Sequence, residues 1–189
     1  MNHVLYGLIA GHRQRRALGR LLLEAPELAT VDVDLAALLA QGVRALAFDF
    51  DGVLAPHDAA EPQTETQRVL DQALQIFGAG HIYILSNKPS VERLRYFNQH
   101  YPDIVFIGGV RKKPYPDGLE KIASLGNYNI GQIALLDDRL MTGGLASLHA
   151  GSKFVYISKP LVDFSRHPIK ESFFASLRLF ETLLARVAA

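Results

Sequence analysis

Asp49 and Asp51, two aspartates separated by one residue, have the spacing in this chain that best fits a chemical role. They follow the largely apolar run 43–48 and precede Gly52, which places them where a buried strand ends in a turn. Side chains two positions apart on a strand point the same way, so the two carboxylates emerge together. Two ionised carboxylates in apolar surroundings repel each other and are costly to desolvate. A divalent cation removes that cost and leaves one carboxylate as a nucleophile and the other as a proton carrier.

A simpler interpretation of the same residues is a turn. Asp-Gly is a common turn pair, and Asp51-Gly52 can close a loop after the strand without any chemical role. Short motifs occur by chance, so the choice depends on what the other strand ends carry.

Strand-like and helix-like segments alternate along the chain. Strands are predicted at 43–50, 81–86, 104–107, 132–137 and 153–157, and helices at 64–77, 89–100, 117–125, 143–150 and 169–187. This alternation predicts an α/β fold, a three-layer α/β/α sandwich with a parallel, Rossmann-like sheet. We expect one domain over 1–189 with its core at about 43–160, a helical extension at 1–42, and a linker at 158–168 before an amphipathic C-terminal helix.

Three other strand ends carry polar residues, and ligands of such sheets sit at the carboxyl ends of the strands. The second strand ends in Ser86-Asn87, the fourth ends in Asp137-Asp138, and Lys113 follows the third. Each has an ordinary alternative, because Ser86 and the acidic pair can cap helices and Lys113 can be an exposed loop lysine. Together with the two aspartates of the first strand, they favour one site at one edge of the sheet.

The residue types at these strand ends suit phosphoryl transfer through a covalent aspartyl phosphate. Asp49 is placed to attack phosphorus, and Asp51 to protonate the leaving alkoxide and then activate water. Ser86 and nearby backbone N–H groups can hydrogen-bond the phosphoryl oxygens, as can Asn87, and Lys113 can balance their charge.

Mg²⁺ is the cofactor that fits this chemistry. It prefers hard oxygen ligands and retains several waters, so one or two carboxylates plus the phosphate are sufficient. Asp49 with Asp138 or Asp137 supplies them, and the residues alone leave the choice between the last two open.

These segments also carry a family resemblance, which covers about residues 21–180. The chain resembles phosphatases of the haloacid dehalogenase (HAD) superfamily, and within it the subfamily IIIA group that contains the phosphatidylglycerophosphate phosphatases. The resemblance rests on the DxDG-V-L block at 49–54, Leu85-Ser86-Asn87, Lys113-Pro114, and the pair 137–138 followed by Leu140-Met141-Thr142.

The resemblance implies a role for each matching position. Asp49 would be the nucleophile, and Asp51 the general acid and base, with its backbone carbonyl on Mg²⁺. Ser86 and Lys113 would bind phosphate, and a carboxylate from 137–138 would bind the metal.

One departure from the family pattern concerns the metal ligands. The subfamily has an Asp after the threonine of the fourth motif, whereas here Thr142 precedes Gly143. The family also has Gly before its metal-binding Asp, whereas here Asp137 precedes Asp138. We therefore expect Asp137 to compensate for the carboxylate that is missing at position 143.

The spacing between motifs leaves no room for an inserted cap domain. One helix and one strand fill the interval from Asp51 to Ser86, and the same is true from Ser86 to Lys113. We therefore expect a HAD-like fold without a cap and an open site, suited to large substrates or to a phosphate that projects from a surface.

The composition excludes several classes of function. The chain has 49% hydrophobic and 21% charged residues, as in soluble globular proteins, and no apolar run long enough to span a bilayer. The absence of cysteine excludes disulfides, thiolate metal sites and a cysteine nucleophile, and agrees with a cytoplasmic location. The net charge of +1 argues against nucleic acid as a partner.

Three hypotheses about the function remain open at this point. The first is a Mg²⁺-dependent phosphomonoesterase for a phospholipid headgroup such as phosphatidylglycerophosphate. The second keeps the chemistry but acts on a soluble sugar phosphate, a nucleic-acid end or a phosphoprotein. The third is a catalytically silent scaffold of the same fold, which Gly143 keeps open.

The two ends of the chain bear on a membrane contact. Residues 1–23 contain Arg13, Arg15, Arg16 and Arg20 and no acid, which fits a targeting segment, a basic surface helix or a site for anionic lipid. The C-terminal helix has an apolar stripe, which consists of Phe173, Leu177, Phe180, Leu184 and Val187. We expect this stripe to pack onto the sheet rather than onto a bilayer, and the arginines to lead a weak, peripheral membrane association.

Overall fold

The structure is a computed structural model, which describes residues 3–188. Residues 1, 2 and 189, which belong to the predicted domain and its N-terminal extension, lie outside the described residues. Five strands form one sheet: β1 (Ala45–Phe48), β2 (Ile82–Ile84), β3 (Ile104–Phe106), β4 (Ile133–Asp137) and β5 (Lys153–Tyr156). All pairings are parallel, and the order is β3-β2-β1-β4-β5. The predicted α/β fold with a parallel sheet is confirmed.

In the described part of the chain, eight α-helices surround the sheet. They are α1 (His3–Arg13), α2 (Arg15–Glu24), α3 (Leu35–Ala40), α4 (Thr64–Phe77), α5 (Val91–His100), α6 (Asp117–Gly126), α7 (Leu145–Ala150) and α8 (Pro168–Ala188). Short 3₁₀ turns cover Thr30–Asp32 and Ile130–Gln132. A π-helical segment, Leu140–Gly144, leads into α7, so the α-helix predicted over 143–150 begins later than expected.

Alternation along β1 divides the core between the two faces of the sheet. Leu46 and Phe48 pack with residues of α3, α4 and α5, whereas Ala45 and Ala47 face a cluster built with α6 and α7. Because successive side chains on a strand point to opposite faces, this strand is buried on both sides. The three-layer arrangement is therefore confirmed.

The register of the strands brings their carboxyl ends to one edge. Phe48 pairs with Ile84 on one side and with Leu136 on the other, so the residues that follow each strand lie close together. The chain passes from β1 to β2 on one side, while β4 lies on the other. The order therefore reverses between β1 and β4, which is where open α/β sheets form their binding crevice.

The N-terminal and C-terminal helices pack against each other near β5. Leu18 of α2, Ala185 of α8, Leu145 and Tyr156 belong to a third core cluster. Neither of the connections from β1 to β2 and from β2 to β3 contains an inserted domain, which agrees with the expected absence of a cap. Among the helices of residues 3–188, none is long and apolar enough to cross a membrane.

The orientation of α8 differs from the prediction. The stripe expected to pack onto the sheet faces outward at three of its positions, since Phe173 is 58%, Phe180 48% and Val187 90% exposed. The buried face carries Glu171 and Arg178 instead, together with Glu181 and Ala185. The prediction was wrong because these charged side chains have partners in the loops at the sheet edge, and an unpaired charge is far costlier to bury than a paired one.

Candidate active site

The loop after β1 is both a turn and a wall of the site. Asp49 Oδ1 accepts a hydrogen bond from the backbone N–H of Phe50 (2.8 Å), and Gly52 N–H donates to the carbonyl of Ala55 (2.7 Å). Gly52 has φ +85°, and a Cβ there would lie 2.5 Å from Asp138 Oδ2. A glycine is therefore required both by the backbone conformation and by the close approach of Asp138. The turn interpretation and the site interpretation of Asp51-Gly52 are compatible.

Lys113 is a buried cation next to Asp49. Its ammonium lies 3.1 Å from Asp49 Oδ1, forms an ion pair with Asp137 and is only 2% exposed. Asn87 holds the backbone of Lys113 from both sides, accepting from its N–H (2.7 Å) and donating to its carbonyl (3.0 Å). Asn87, predicted as a substrate ligand, thus uses its amide group to position the lysine loop, in which the Lys113-Pro114 peptide is cis.

Ser86 lies at the edge where it was predicted. Its hydroxyl is buried and accepts a hydrogen bond from the backbone N–H of Lys88 (3.1 Å). The hydroxyl hydrogen is still available to donate to a ligand. The structure therefore brings Ser86 to the same strand edge as Asp49, Lys113 and Asp137.

Three carboxylates form a cluster that can hold a metal ion. Oxygens of Asp49, Asp137 and Asp138 all lie within 4.8 Å of one another. Burial raises the pKa of Asp49 to about 7 and that of Asp138 to about 6, and it also raises the pKa of Asp137; neighbouring carboxylates add to each rise, whereas Lys113 and Arg178 oppose it. A buried set of hard oxygen donors whose ionisation is penalised fits a divalent cation such as Mg²⁺. Within residues 3–188, the Asp51 carboxylate is not part of the cluster.

Asp51 is held by an arginine that sequence reasoning missed. Arg93 of α5 donates two hydrogen bonds to its carboxylate (2.6 and 3.0 Å), and its guanidinium lies 3.9 Å from the centre of the Phe50 ring. Arg93 also donates to the carbonyl of Ala59 (2.9 Å), so it ties the loop after β1 to α5. The signal in the sequence is that Arg93 lies one turn before the buried Phe97, on the face of α5 that must point inward.

The buried face of α8 contributes charged side chains that were also missed. Arg178 Nε donates to Asp138 Oδ2 (2.5 Å), and Glu171 accepts from His57, with the imidazole 3.1 Å away. Glu181 accepts from Arg139 Nε (2.8 Å). Charged residues at 171, 178 and 181 share one helix face, which is the only hint that the sequence contains.

The cavity at this edge has an acidic floor and a basic rim. Its volume is about 150 Å³, and it is bounded by Asp49, Asp51, Asp138, Asn87, Arg139, Thr142, Lys88, Asp58, His57, Lys170 and Phe174. Lys88 and Lys170 both form ion pairs with Asp58 at the mouth. Phe174 stacks on His57 with ring centres 3.9 Å apart. The site is thus less open than expected, because α8 covers one side of it.

Gly143 and Asp137 are in close contact. A Cβ on Gly143 would lie 2.3 Å from Cγ and 2.4 Å from Cβ of Asp137. The Asp137 side chain therefore fills the space into which a side chain at 143 would project. That Asp137 compensates for a carboxylate at 143 stays a prediction.

Comparisons with known proteins add little beyond this geometry. No protein-family model matches the chain, and no curated protein matches it. An uncharacterised protein from Corynebacterium glutamicum ATCC 13032 Kitasato is similar in structure, with 24% identity, a TM-score of 0.47, and coverage of 72% of this chain and 97% of that one. The N-terminal part of the protein BF1531 from Bacteroides fragilis, containing a phosphatase domain complexed with Mg, has 16% identity, a TM-score of 0.46, and coverage of 80% and 43%. Neither likeness is strong enough to support a function.

The raised carboxyl pKa values predict how stability depends on pH. Asp49 binds a proton more tightly in the folded protein (pKa about 7) than in the unfolded chain (3.8). The metal-free protein should therefore lose stability as the pH rises from about 4 to about 7, because the folded state holds more protons over that range. Added Mg²⁺ competes with those protons, so the stabilisation it gives should increase with pH.

Urea unfolding at about pH 5 and about pH 7, with EDTA and with Mg²⁺, measures both effects. Asp49→Asn is the matched control, because it removes one titrating group and should flatten the metal-free pH profile. A metal-free stability that rises over this range by the same amount in both proteins would contradict the prediction.

The two adjacent aspartates should differ in their effect on metal binding. Asp138 borders the cavity, whereas Asp137 is fully buried and paired with Lys113. We expect Asp137→Asn to weaken Mg²⁺ binding by about tenfold, the usual effect of removing a group that supports a ligand. Asp138→Asn should weaken binding more, because a direct ligand is lost. Calorimetric Mg²⁺ titrations of the two isosteric variants decide this, and the reverse order would make Asp137 the direct ligand.

Proposed function

We propose that this protein is a Mg²⁺-dependent phosphomonoesterase that forms an aspartyl phosphate on Asp49. The observation that carries the proposal is the position of Asp49, which lies in a buried cluster of three carboxylates and 3.1 Å from the Lys113 ammonium. A metal ion held by this cluster and a fixed ammonium next to the same carboxylate would suit the binding of a phosphoryl group beside a nucleophile.

Asp49 would attack phosphorus through Oδ2. Both Phe50 N–H and the Lys113 ammonium contact Oδ1, which leaves the second oxygen for the reaction. The new Oδ2–P bond forms as the ester P–O bond breaks, and the electron pair of that bond leaves with the alkoxide. Lys113 and the hydroxyl of Ser86 would stabilise the charge on the phosphoryl oxygens.

Asp51 would carry the proton in both half-reactions. It donates a proton to the leaving alkoxide, then accepts one from water as the water oxygen attacks phosphorus and frees Asp49. Arg93 holds both carboxylate oxygens of Asp51 and fixes their orientation. Each oxygen keeps a second lone pair, so the transferred proton can be carried while both contacts with Arg93 remain.

The metal would be held by Asp49 and Asp138, with Asp137 supporting the cluster from its ion pair with Lys113. When bound, Mg²⁺ supplies positive charge for the transferred phosphoryl group. Arg178 Nε donates to Oδ2 of Asp138, so the Asp138 carboxylate would serve both this ion pair and the metal.

A phospholipid headgroup such as phosphatidylglycerophosphate is the substrate class that we propose. The cavity of about 150 Å³ is small beside the roughly 300–1,000 Å³ usual for small-molecule sites, so it would take the terminal phosphate and little else. The rest of the substrate would remain outside, as with a phosphate that projects from a lipid surface. Lys88 and Lys170 at the mouth share the single carboxylate of Asp58, which leaves a net positive charge that suits a second anionic group such as the inner phosphodiester.

Replacing the nucleophile tests the reaction class. Asp49→Asn should reduce phosphate release on the order of 10⁴-fold or more, because an amide is a poor nucleophile. The assay measures phosphate release with Mg²⁺ from phosphatidylglycerophosphate in mixed micelles, beside a soluble sugar phosphate and 4-nitrophenyl phosphate. Asp103→Asn, at an exposed aspartate, is the matched control and should be near wild type. Near-normal turnover by Asp49→Asn would refute the covalent mechanism. If the wild type prefers the soluble sugar phosphate to phosphatidylglycerophosphate, the substrate class is a soluble phosphate ester and not a phospholipid.

Replacing the proton carrier tests the role of Asp51. Asp51→Asn should slow hydrolysis of an alkyl phosphate by about 10²–10⁴-fold, the usual range for general acid–base groups. The loss should be much smaller for 4-nitrophenyl phosphate, because its leaving group departs without protonation. Presteady-state bursts with both esters separate formation of the phosphoenzyme from its hydrolysis. An equal loss in the first step for both leaving groups would exclude Asp51 as the general acid.

A further inference from the structure

The outward side of α8 is an apolar surface without a partner in the described part of the chain. Ile169, Phe173, Phe180, Leu183 and Val187 are all exposed on this side, opposite the charged buried face. We call these five residues the outer face of α8. An apolar strip of this length on one helix is more than the scattered single residues usual on a monomer, and it marks a contact surface.

Burial of the acidic residues gives this helix a one-sided charge. Its two acids, Glu171 and Glu181, are both buried and paired, with His57 and Arg139 respectively. Arg186, in contrast, is exposed. The sequence of α8 is almost balanced in charge, but the surface that it presents to solvent is apolar and basic.

The helix that packs against α8 adds more positive charge. Arg13, Arg16 and Arg20 are exposed along and just before α2, and no acid occurs in residues 1–23. Arg15 lies beside Phe180 and Val187 in a shallow depression between the two helices. Basic and apolar groups are thus adjacent on one surface.

We propose that the outer face of α8, together with the arginines of α2, docks onto an anionic phospholipid bilayer. A helix that pairs exposed aromatic and aliphatic residues with arginines has the composition of a helix that lies in the membrane interface. Each basic residue near an anionic surface adds to the electrostatic attraction. A second copy of the chain is the other occupant that an apolar face could take, and the test below distinguishes it from a bilayer.

Docking of this surface on a bilayer would bring the site to a phospholipid substrate. That link to the substrate rests on the proposed function. The inner face of the same helix contributes Phe174 to the cavity and Arg178 to Asp138. A helix with side chains is about 10–12 Å across, so docking of its outer side would bring the site close to lipid headgroups.

Vesicle co-sedimentation of the full chain tests the proposal. We expect the protein to pellet with vesicles of phosphatidylcholine and phosphatidylserine at low salt, weakly with phosphatidylcholine alone, and less as salt is raised. Phosphatidylserine provides anionic charge but no phosphomonoester, so binding to it does not report on the active site. Phe173→Ser/Phe180→Ser/Val187→Ser should weaken binding on the order of 10- to 100-fold, and Arg16→Gln/Arg20→Gln by at least about tenfold.

Matched controls separate this surface from general effects. Val91→Ser/Leu125→Ser removes exposed apolar residues of α5 and α6, and Arg68→Gln/Arg95→Gln removes exposed arginines of α4 and α5. Both controls should bind vesicles as the wild type does, and all variants should keep hydrolysis of soluble 4-nitrophenyl phosphate.

Three results would overturn the proposal: no binding to anionic vesicles at low salt, equal losses in the control variants, or a dimer in light scattering that the α8 variants dissociate. The last result would assign the face to a second copy. If the protein binds vesicles but has no phosphatase activity, the proposed function is refuted and the proposal that this surface docks on a bilayer still holds.

Discussion

The buried ammonium of Lys113 is the interaction on which the site depends. It lies between Asp49 and Asp137, where two carboxylates and a third from Asp138 would otherwise be buried close together. Burial acts to lower the pKa of Lys113, but the two carboxylates outweigh it and raise that pKa, so the group is held as a cation. Since an unpaired buried charge costs several kcal/mol, removing this ammonium would leave the cluster to neutralise by protonation. The two hydrogen bonds between Asn87 and the backbone of Lys113 therefore help to hold this positive charge in place.

Hydrogen bonds and ion pairs of its polar side chains also determine how α8 packs. Arg178, Glu171 and Glu181 each meet a partner that lies on a loop at the carboxyl edge of the sheet. The contacts of these polar residues set the rotation of the helix about its axis. Its apolar residues therefore face away from the sheet and are available for another contact. The inner side of α8 thereby forms one wall of the cavity with polar side chains, and its outer side is apolar.

The sequence was sufficient to predict the sheet and the residues at its strand ends. Period-two alternation and turn residues are local signals, and parallel strands bring their carboxyl ends together, so Asp49, Ser86 and Asp137 could be placed from pattern alone. The partners of these residues could not. Arg93 and Arg178 reach the site from helices far along the chain, and nothing local in their segments identifies Asp51 or Asp138 as the group that each will meet. The face of α8 was misjudged for the same reason, because an apolar stripe predicts burial only when no stronger pairing competes for the opposite face.

The close contact between Gly143 and Asp137 constrains how this site can change over evolution. A carboxylate introduced at 143 has no room while Asp137 is present, and loss of Asp137 alone leaves Lys113 with a single partner. The effect of a substitution at either position therefore depends on the residue at the other, so the two positions are epistatic. A side chain can be introduced at 143 without this steric conflict only after Asp137 is replaced by a smaller residue. Each position therefore constrains the other, and the pair would have to change in a fixed order for the chain to keep a carboxylate in this part of the fold.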